Sequence, residues 1–579
     1  MASRRNLLFR SALLGASASL VLAFGASAQS IDDVRPKIAP SVDTPSLYGT
    51  FLGGEISMQR DGGEDGARML IGAATERPDD PILREHAFAA ALLIGDVQAA
   101  ARLAPDDTDP VMAYRGLGAV TRAVEALAED KGGDAEKIVT AAPATIPDHV
   151  ALMLLKPYAQ AQAGHWDLAT ATHLGGPNER LVALLDQISR AQLLELRGRY
   201  AEADALYKTL ADDSITAGLF AQPYGEFLER RGRDREAVAI YEKGLATTPG
   251  DPELIADRER AKGGGSNLPP APSIKRGAAD VLTYAAGAAA AERQEQLSLF
   301  YARLALRLDP INGQAWLYCG DALSAGKDEI AARACWSHVP TNSRAYAEAR
   351  TRTAYSLQIS GDLDGALGIA RSMAHGDPLH RLEGQLLLAE LLRTSNRYSE
   401  ADQALDEVIG LGGSDWRVYY MRAAVREQLG RWPEAEADLK SALKFAPNEP
   451  ELLNFLGYQW IDRGEDLKGG LALIERAVKA RPNSGAMLDS LGWAHYRLGD
   501  YPEAVTELER AVLIEPSDPE INDHLGDAYW SVGRKDEAAY QWRRVLTFAP
   551  DEKVKARVET KLKDGLVPNA KVAAGDSGR

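Results

Sequence analysis

The residues of this chain with chemistry to offer are two cysteines, nine histidines and a surplus of carboxylates, and their spacing decides what that chemistry is. Cys319 and Cys335 are its only thiols. They fall on the two helices of one helical hairpin, nearly equidistant from its turn. A disulfide there suits an oxidising compartment. Two buried, unbridged thiols fit the same spacing, and a catalytic thiol is not expected. The histidines are scattered, and none sits in an H-E-x-x-H or other metal-ligand spacing. His495 and His524 lie about one repeat apart, which raises a metal pair, but the same spacing is that of packing or groove positions on successive helices. No metal is therefore expected. Lys262 to Ser266 is glycine-rich, yet it runs into Asn-Leu-Pro-Pro instead of a Lys-Ser/Thr pair opening a helix, so it is no phosphate loop. A G-x-S-x-G elbow is also missing. With no catalytic constellation, neither enzyme activity nor a cofactor is expected.

A repeat sets the elements that would position any site. Leu491-Gly492 recurs as Leu525-Gly526, Gly499 as Gly533, Ala504 as Ala538 and Pro516 as Pro550, each thirty-four residues on. One amphipathic helix has no need of that register; a stack of like units does. The blocks are 450–484, 485–518 and 519–552. In the middle block, helix A ends near Leu498. Gly499-Asp500 turns the chain, because glycine accepts the left-handed conformation that closes a helix. Helix B runs from about Tyr501 to Glu515, and Pro516 stops it. Gly492 faces Ala504 where the two backbones approach, with Leu491, Leu508 and Ala511 filling in around them. This spacing and residue set resembles the tetratricopeptide repeat. The resemblance implies an all-α, right-handed superhelical solenoid of helical hairpins with an inner groove.

The same frame runs back through 416–449, 382–415, 347–380, 313–346 and 279–312. Before it, Ala261 to Gly277 is rich in Gly and Pro and lacks apolar periodicity, which predicts a linker or surface loop and a domain boundary. Upstream, 218–251 and 193–207 match, 47–80 and 89–103 match more loosely, and the register is lost between about 106 and 177. The expected organisation is an irregular solenoid over 47–260, the 261–277 linker and a regular solenoid over 278–552. A solvent-facing capping helix over 553–566 and a disordered tail over 567–579 follow.

Groove positions follow from the resemblance, since in this family the second, fifth, ninth, twelfth and thirteenth residues of a block line the groove. They fall on Asn454, Tyr458 and Asp462, on Asp489, Trp493, Tyr496 and Arg497, and on Asp523, Asp527 and Trp530. Aromatic anchors beside carboxylates suit a protein partner, the acids selecting basic or amide groups. Trp493 and Tyr496 fit equally well as packing against the neighbouring helix. A clamp for a partner's C-terminal carboxylate would need Lys, Asn and Arg here, whereas Arg497 is the one cation of the set.

"LLNFLGYQWIDRGEDLKGGLALIERAVKARPNSGAMLDSLGWAHYRLGDYPEAVTELERAV" with "INDHLGDAYWSVGRKDEAAYQWRRVL" further resembles exported, many-repeat proteins of proteobacteria. Their relatives include outer-membrane lipoproteins that are adaptors for periplasmic carboxyl-terminal processing proteases. Residues 1–28 read as a signal peptide: a basic "MASRRNLLFR", an apolar run from Ser11 to Phe24, and the cleavage pattern Ala26-Ser27-Ala28. The run is shorter than the ~20 residues a spanning helix needs. Ser3 to Leu8 resembles a twin-arginine signal, with ordinary secretion as the alternative. Gln29 stands where a lipoprotein needs cysteine, so no lipid anchor is expected, and 29–46 reads as a flexible segment. The net charge of −17 argues against nucleic acid, which needs a basic stripe. The expectation is a periplasmic, non-enzymatic scaffold or adaptor for protein partners, at most peripheral to the outer membrane. The alternative is an accessory subunit of a glycan-processing or export complex that binds polysaccharide in the groove.

Overall fold

The computed structural model describes residues 46–60, 63–105, 114–142, 148–171, 180–212, 217–248, 250–263, 268–376, 378–548, 550 and 552–566. The expected leader over 1–28, the tail over 567–579 and all of 29–46 except Ser46 lie outside them. Among the described residues there are thirty α-helices and no strand. The fold is an all-α solenoid of helical hairpins.

The local chemistry of each hairpin is written at its ends. Acidic or hydroxyl side chains start many of the helices by accepting backbone N–H groups: Asp415 for Trp416–Gln428, Ser484 for Gly485–Leu498, Asp500 for Tyr501–Ile514 and Asp518 for Pro519–Ser531. Between the two helices of each hairpin, one residue takes the left-handed conformation. It is glycine at 63, 95, 164, 198, 232, 361, 430, 464, 499 and 533, but Asp130, Arg293, Lys327 and Asn396 elsewhere. These positions recover the register lost in the sequence between about 106 and 177. Asp130 stands one unit before Gly164, and the hairpin Arg115–Ala128 with Gly132–Ala141 is built like the rest. The signal was hidden because aspartate, at some cost in strain, replaced the glycine.

Within a hairpin, a small residue on helix A receives a large one from helix B. A Cβ placed on Gly492 would lie 2.5 Å from Leu508 Cγ and 3.2 Å from the Ala504 carbonyl oxygen. Gly526 is covered in the same way by Trp542. The helix-B residues Leu439, Ile474, Leu508 and Trp542 are all fully buried, one in each of the C-terminal repeats.

The 261–277 boundary is where the structure departs from expectation. Helix Pro252–Lys262 enters that stretch from one side, and helix Ile274–Ala291, capped by Ser273, begins inside it. One continuous core then runs from Phe88 to Cys335 across the boundary. Helix Ile274–Ala291 packs on His149–Gln162, and Glu295–Leu308 packs on Arg115–Ala128 and Pro81–Ile94. Lys275 Nζ donates to the Ala128 carbonyl (2.8 Å) and to Asp130, Tyr301 to Asp148, and Arg307 to both oxygens of Glu125 (2.8 and 3.0 Å). Residues 188–261 hold a separate core. Arg344 ties their edge back to the stack through Glu253 (2.9 Å) and Gln222 (2.7 Å). One core thus has members on both sides of the Gly/Pro-rich stretch, from Phe88 before it to Cys335 after it.

Cys319 and Cys335 are paired as a disulfide joining helices Gly313–Ala325 and Glu329–Ser337. Helix Glu552–Asp564 closes the C-terminal end, with Val558 fully buried. No helix among the described residues is long and apolar enough to cross a membrane.

Candidate functional site

Helix Gly485–Leu498 touches both the preceding first helix, Pro450–Arg463, and the following one, Pro519–Ser531. Together with Tyr420 of Trp416–Gln428, the N-terminal halves of these helices enclose a cavity of about 440 Å³. Tyr420, Phe455 and Tyr458 supply its rings, and Glu451, Asp489, Asp518 and Glu520 its carboxylates. Asn454, Ser484, Met487, Ser490 and Arg481 complete the wall.

Hydrogen bonding engages several of the polar groups in this wall. Ser490 Oγ donates to the Ala486 carbonyl (3.0 Å), and Ser484 Oγ caps its helix at Met487. Tyr458 donates its hydroxyl to Glu520 Oε1 (3.2 Å), and burial pushes its phenol pKa up. Arg481 is bound to Glu451 and lies 3.6 Å from Glu449. The Glu449 carboxyl is pushed up, chiefly by its hydrogen bond with Glu451 beside it. What remains is acceptor: Glu451 Oε2 and Asn454 Oδ1 are buried with no hydrogen-bond partner.

The ten groove residues expected from the repeat frame divide sharply. Asn454, Tyr458 and Asp489 line the cavity. Asp489 does so only in part: it is 6% exposed, and His524 Nδ1 lies 3.0 Å from both of its oxygens. Burial pulls the His524 pKa down, but the Asp489 charge and hydrogen bond outweigh it and hold the imidazole at about 9. Trp493 is stacked between Tyr496 (4.8 Å) and His524 (4.2 Å), so both rings pack within the wall. Asp462 is exposed, with Arg497 donating to its carbonyl at 2.7 Å. His495 lies nearest Asp500, so the two histidines meet different carboxylates. Among the described residues no group of three or more metal-ligating side chains forms.

Asp523, Asp527 and Trp530 do not face an open groove. Lys561 Nζ of the capping helix lies 2.7 Å from both Asp523 and Asp527, and Arg557 lies 2.8 Å from Asp523. Trp530 is tucked against Trp542 (5.4 Å) and lies directly under Gly565. The last repeat has no successor, so its exposed face is covered by the capping helix.

Sequence reasoning missed Tyr420, Phe455, Glu451, Arg481, Asp518 and Glu520. It weighted the middle and end of each helix A, whereas the cavity sits at the start, beside the loop that enters it. An acidic residue at that helix start was the available signal.

Comparison with known proteins identifies the repeat. Models described as tetratricopeptide repeat match residues 225–253 and 386–450, and one described as TPR repeat matches 492–533. The chain contains tetratricopeptide repeats. A TPR repeat-containing protein of Pseudomonas aeruginosa is 29% identical over 156 residues, 27% of this chain and 26% of that protein. Bacteriophage adsorption protein A of Escherichia coli is 33% identical over 84 residues, 14% of this chain and 8% of that protein. The chain thus spans 26% and 8% of the length of these curated relatives. Among solved structures, a thermophilic TPR protein of Thermus thermophilus aligns at 24% identity with a TM-score of 0.29, over 31% of this chain and 99% of that one. A tetratricopeptide repeat protein of Parabacteroides merdae aligns at 14% identity and 0.36, over 43% and 97%. Tetratricopeptide repeats mark a scaffold for protein–protein interaction.

Proposed function

We propose that this chain is a non-enzymatic scaffold of the bacterial cell envelope that holds a protein partner along the first helices of its C-terminal repeats. The observation that carries this is the cavity between Tyr420 and Glu520: a concave wall of rings and acceptors built from successive repeats. Asn454 and Tyr458 are its contact residues, and Asp462 with Arg497 extends the surface along the helices. Trp493 and Tyr496 stiffen the wall by stacking. A periplasmic location is supported by the leader-like pattern of residues 4–28 and by the Cys319–Cys335 pair, since disulfides persist in oxidising compartments. Within that location we favour an adaptor that presents a partner to a periplasmic protease, on the resemblance of residues 452–546 to such adaptors.

Site-specific photo-crosslinking tests the reading. A photoreactive phenylalanine at Tyr458 is expected to trap a discrete protein partner in cells. The same residue at Tyr540, exposed on a second helix of the last repeat, is expected to trap none. Equal trapping at both positions would sink the groove assignment. Trapping of polysaccharide alone at Tyr458 would replace the protein partner with a glycan.

A further inference from the structure

The structure carries its own example of what its acidic helix-A wall accepts. Asp523 is the counterpart, one repeat on, of Asp489, and it is fully buried against two cations of the capping helix, Lys561 and Arg557. Lys561 bridges Asp523 and Asp527, and its Nζ lies 6.0 Å from the centre of the Trp542 ring. An ammonium between two carboxylates and beside an indole is a complete recognition unit for a basic side chain.

The cavity upstream again sets carboxylates beside rings, with Arg481 of its own wall on Glu451 and His524 on Asp489. Its rings are Tyr420, Phe455 and Tyr458, and its acceptors include Glu451, Asn454 and Glu520. Several of its donors are engaged: Arg481 with Glu451, Tyr458 with Glu520, and Ser490 with a backbone carbonyl. Two buried acceptors, Glu451 Oε2 and Asn454 Oδ1, are left unpaired, and each unpaired buried acceptor favours an occupant that brings N–H groups. An anionic or purely apolar occupant would leave both acceptors unpaired.

Resting on the scaffold reading above, we propose that this cavity receives an arginine or lysine side chain of the partner protein. The alkyl stem lies along the rings, and the cationic head meets Glu451, Asn454 and Glu520. The capping helix satisfies the same demand in cis one repeat further on, which is why the open binding position lies upstream of the last repeat.

The test uses the full chain and short fluorescein-labelled peptides of one Gly/Ala/Ser background carrying arginine, lysine, glutamine or glutamate at the centre. Arginine and lysine peptides are expected to bind in fluorescence anisotropy, and binding should weaken as salt rises from about 50 to about 300 mM. Glutamine and glutamate peptides are expected not to bind. Glu451→Gln with Glu520→Gln should lower the affinity about tenfold, the loss of roughly one charge-assisted hydrogen bond. Asn454→Leu, which disturbs no ion pair, should lower it several-fold with an unchanged thermal melt. Equal binding of the glutamine or glutamate peptides, no binding by any peptide, or unchanged affinity in both variants overturns the proposal. A partner trapped at Tyr458 through a segment without lysine or arginine would overturn it while leaving the scaffold reading intact.

Discussion

His524 is a cation held inside the protein, 6% exposed, between the Asp489 carboxylate and the face of Trp493. A buried charge is tolerated only when it is paired, and this pair joins the first helices of two repeats. Its pKa of about 9 lies above the 6.5 of an ordinary imidazole, so folding favours the protonated form. The stabilisation is therefore fully present below about pH 6.5 and is lost as pH rises through about 9, with a size on the order of 3 kcal/mol. Thermal melts from about pH 6 to about pH 10 should show a fall in melting temperature across that window. The fall should shrink in His524→Gln, which lacks the titrating group. An identical pH profile in the two proteins would mean that the imidazole is not held as a cation. The pair was not legible in the sequence, where Asp489 read as a partner contact and His524 as a packing or groove position. Spacing of one repeat put the two residues on neighbouring helices, but only their common burial turned them toward each other.

At the scale of helices, the hairpin depends on a close approach that no larger side chain fits. Gly492 is pressed by Leu508 and by the Ala504 carbonyl, so Gly492→Leu must push helix Tyr501–Ile514 away from Gly485–Leu498. The expected cost is roughly 1–3 kcal/mol by overpacking. Denaturant titration is the direct check, and a variant as stable as the parent would show that the helices are not in this register. This contact was legible because glycine at a fixed offset from the turn repeats every thirty-four residues. A solvent-facing capping helix was expected over 553–566, where the structure has helix Glu552–Asp564. Its consequence was not: the composition of residues 552–564 does not reveal that Lys561 and Arg557 reach back to Asp523 and Asp527. The same blindness hid the hairpin at Asp130, where a turn that usually announces itself by glycine is made by aspartate.

At the scale of the whole molecule, the shared core from Phe88 to Cys335 makes the two halves of the chain depend on each other. A cut at residue 263 should therefore leave both fragments exposing apolar surface. Residues 46–263 and 268–566, produced separately, are expected to bind a hydrophobic dye and to melt below the intact chain. Mixing them should restore the loss in part. Two fragments that each melt cooperatively at the temperature of the parent would show that the boundary separates independent domains after all. Periodicity in the sequence determined the helices, the hairpin as the unit and the positions of closest approach, because each is fixed by residues within one or two turns of each other. Only the tertiary structure decided that helix Ile274–Ala291 returns to His149–Gln162, that three of the expected groove residues lie beneath the capping helix, and that the open cavity gathers at the helix starts near Glu451 and Glu520. Those outcomes depend on which surfaces meet across long stretches of chain, and a local repeat carries no record of that.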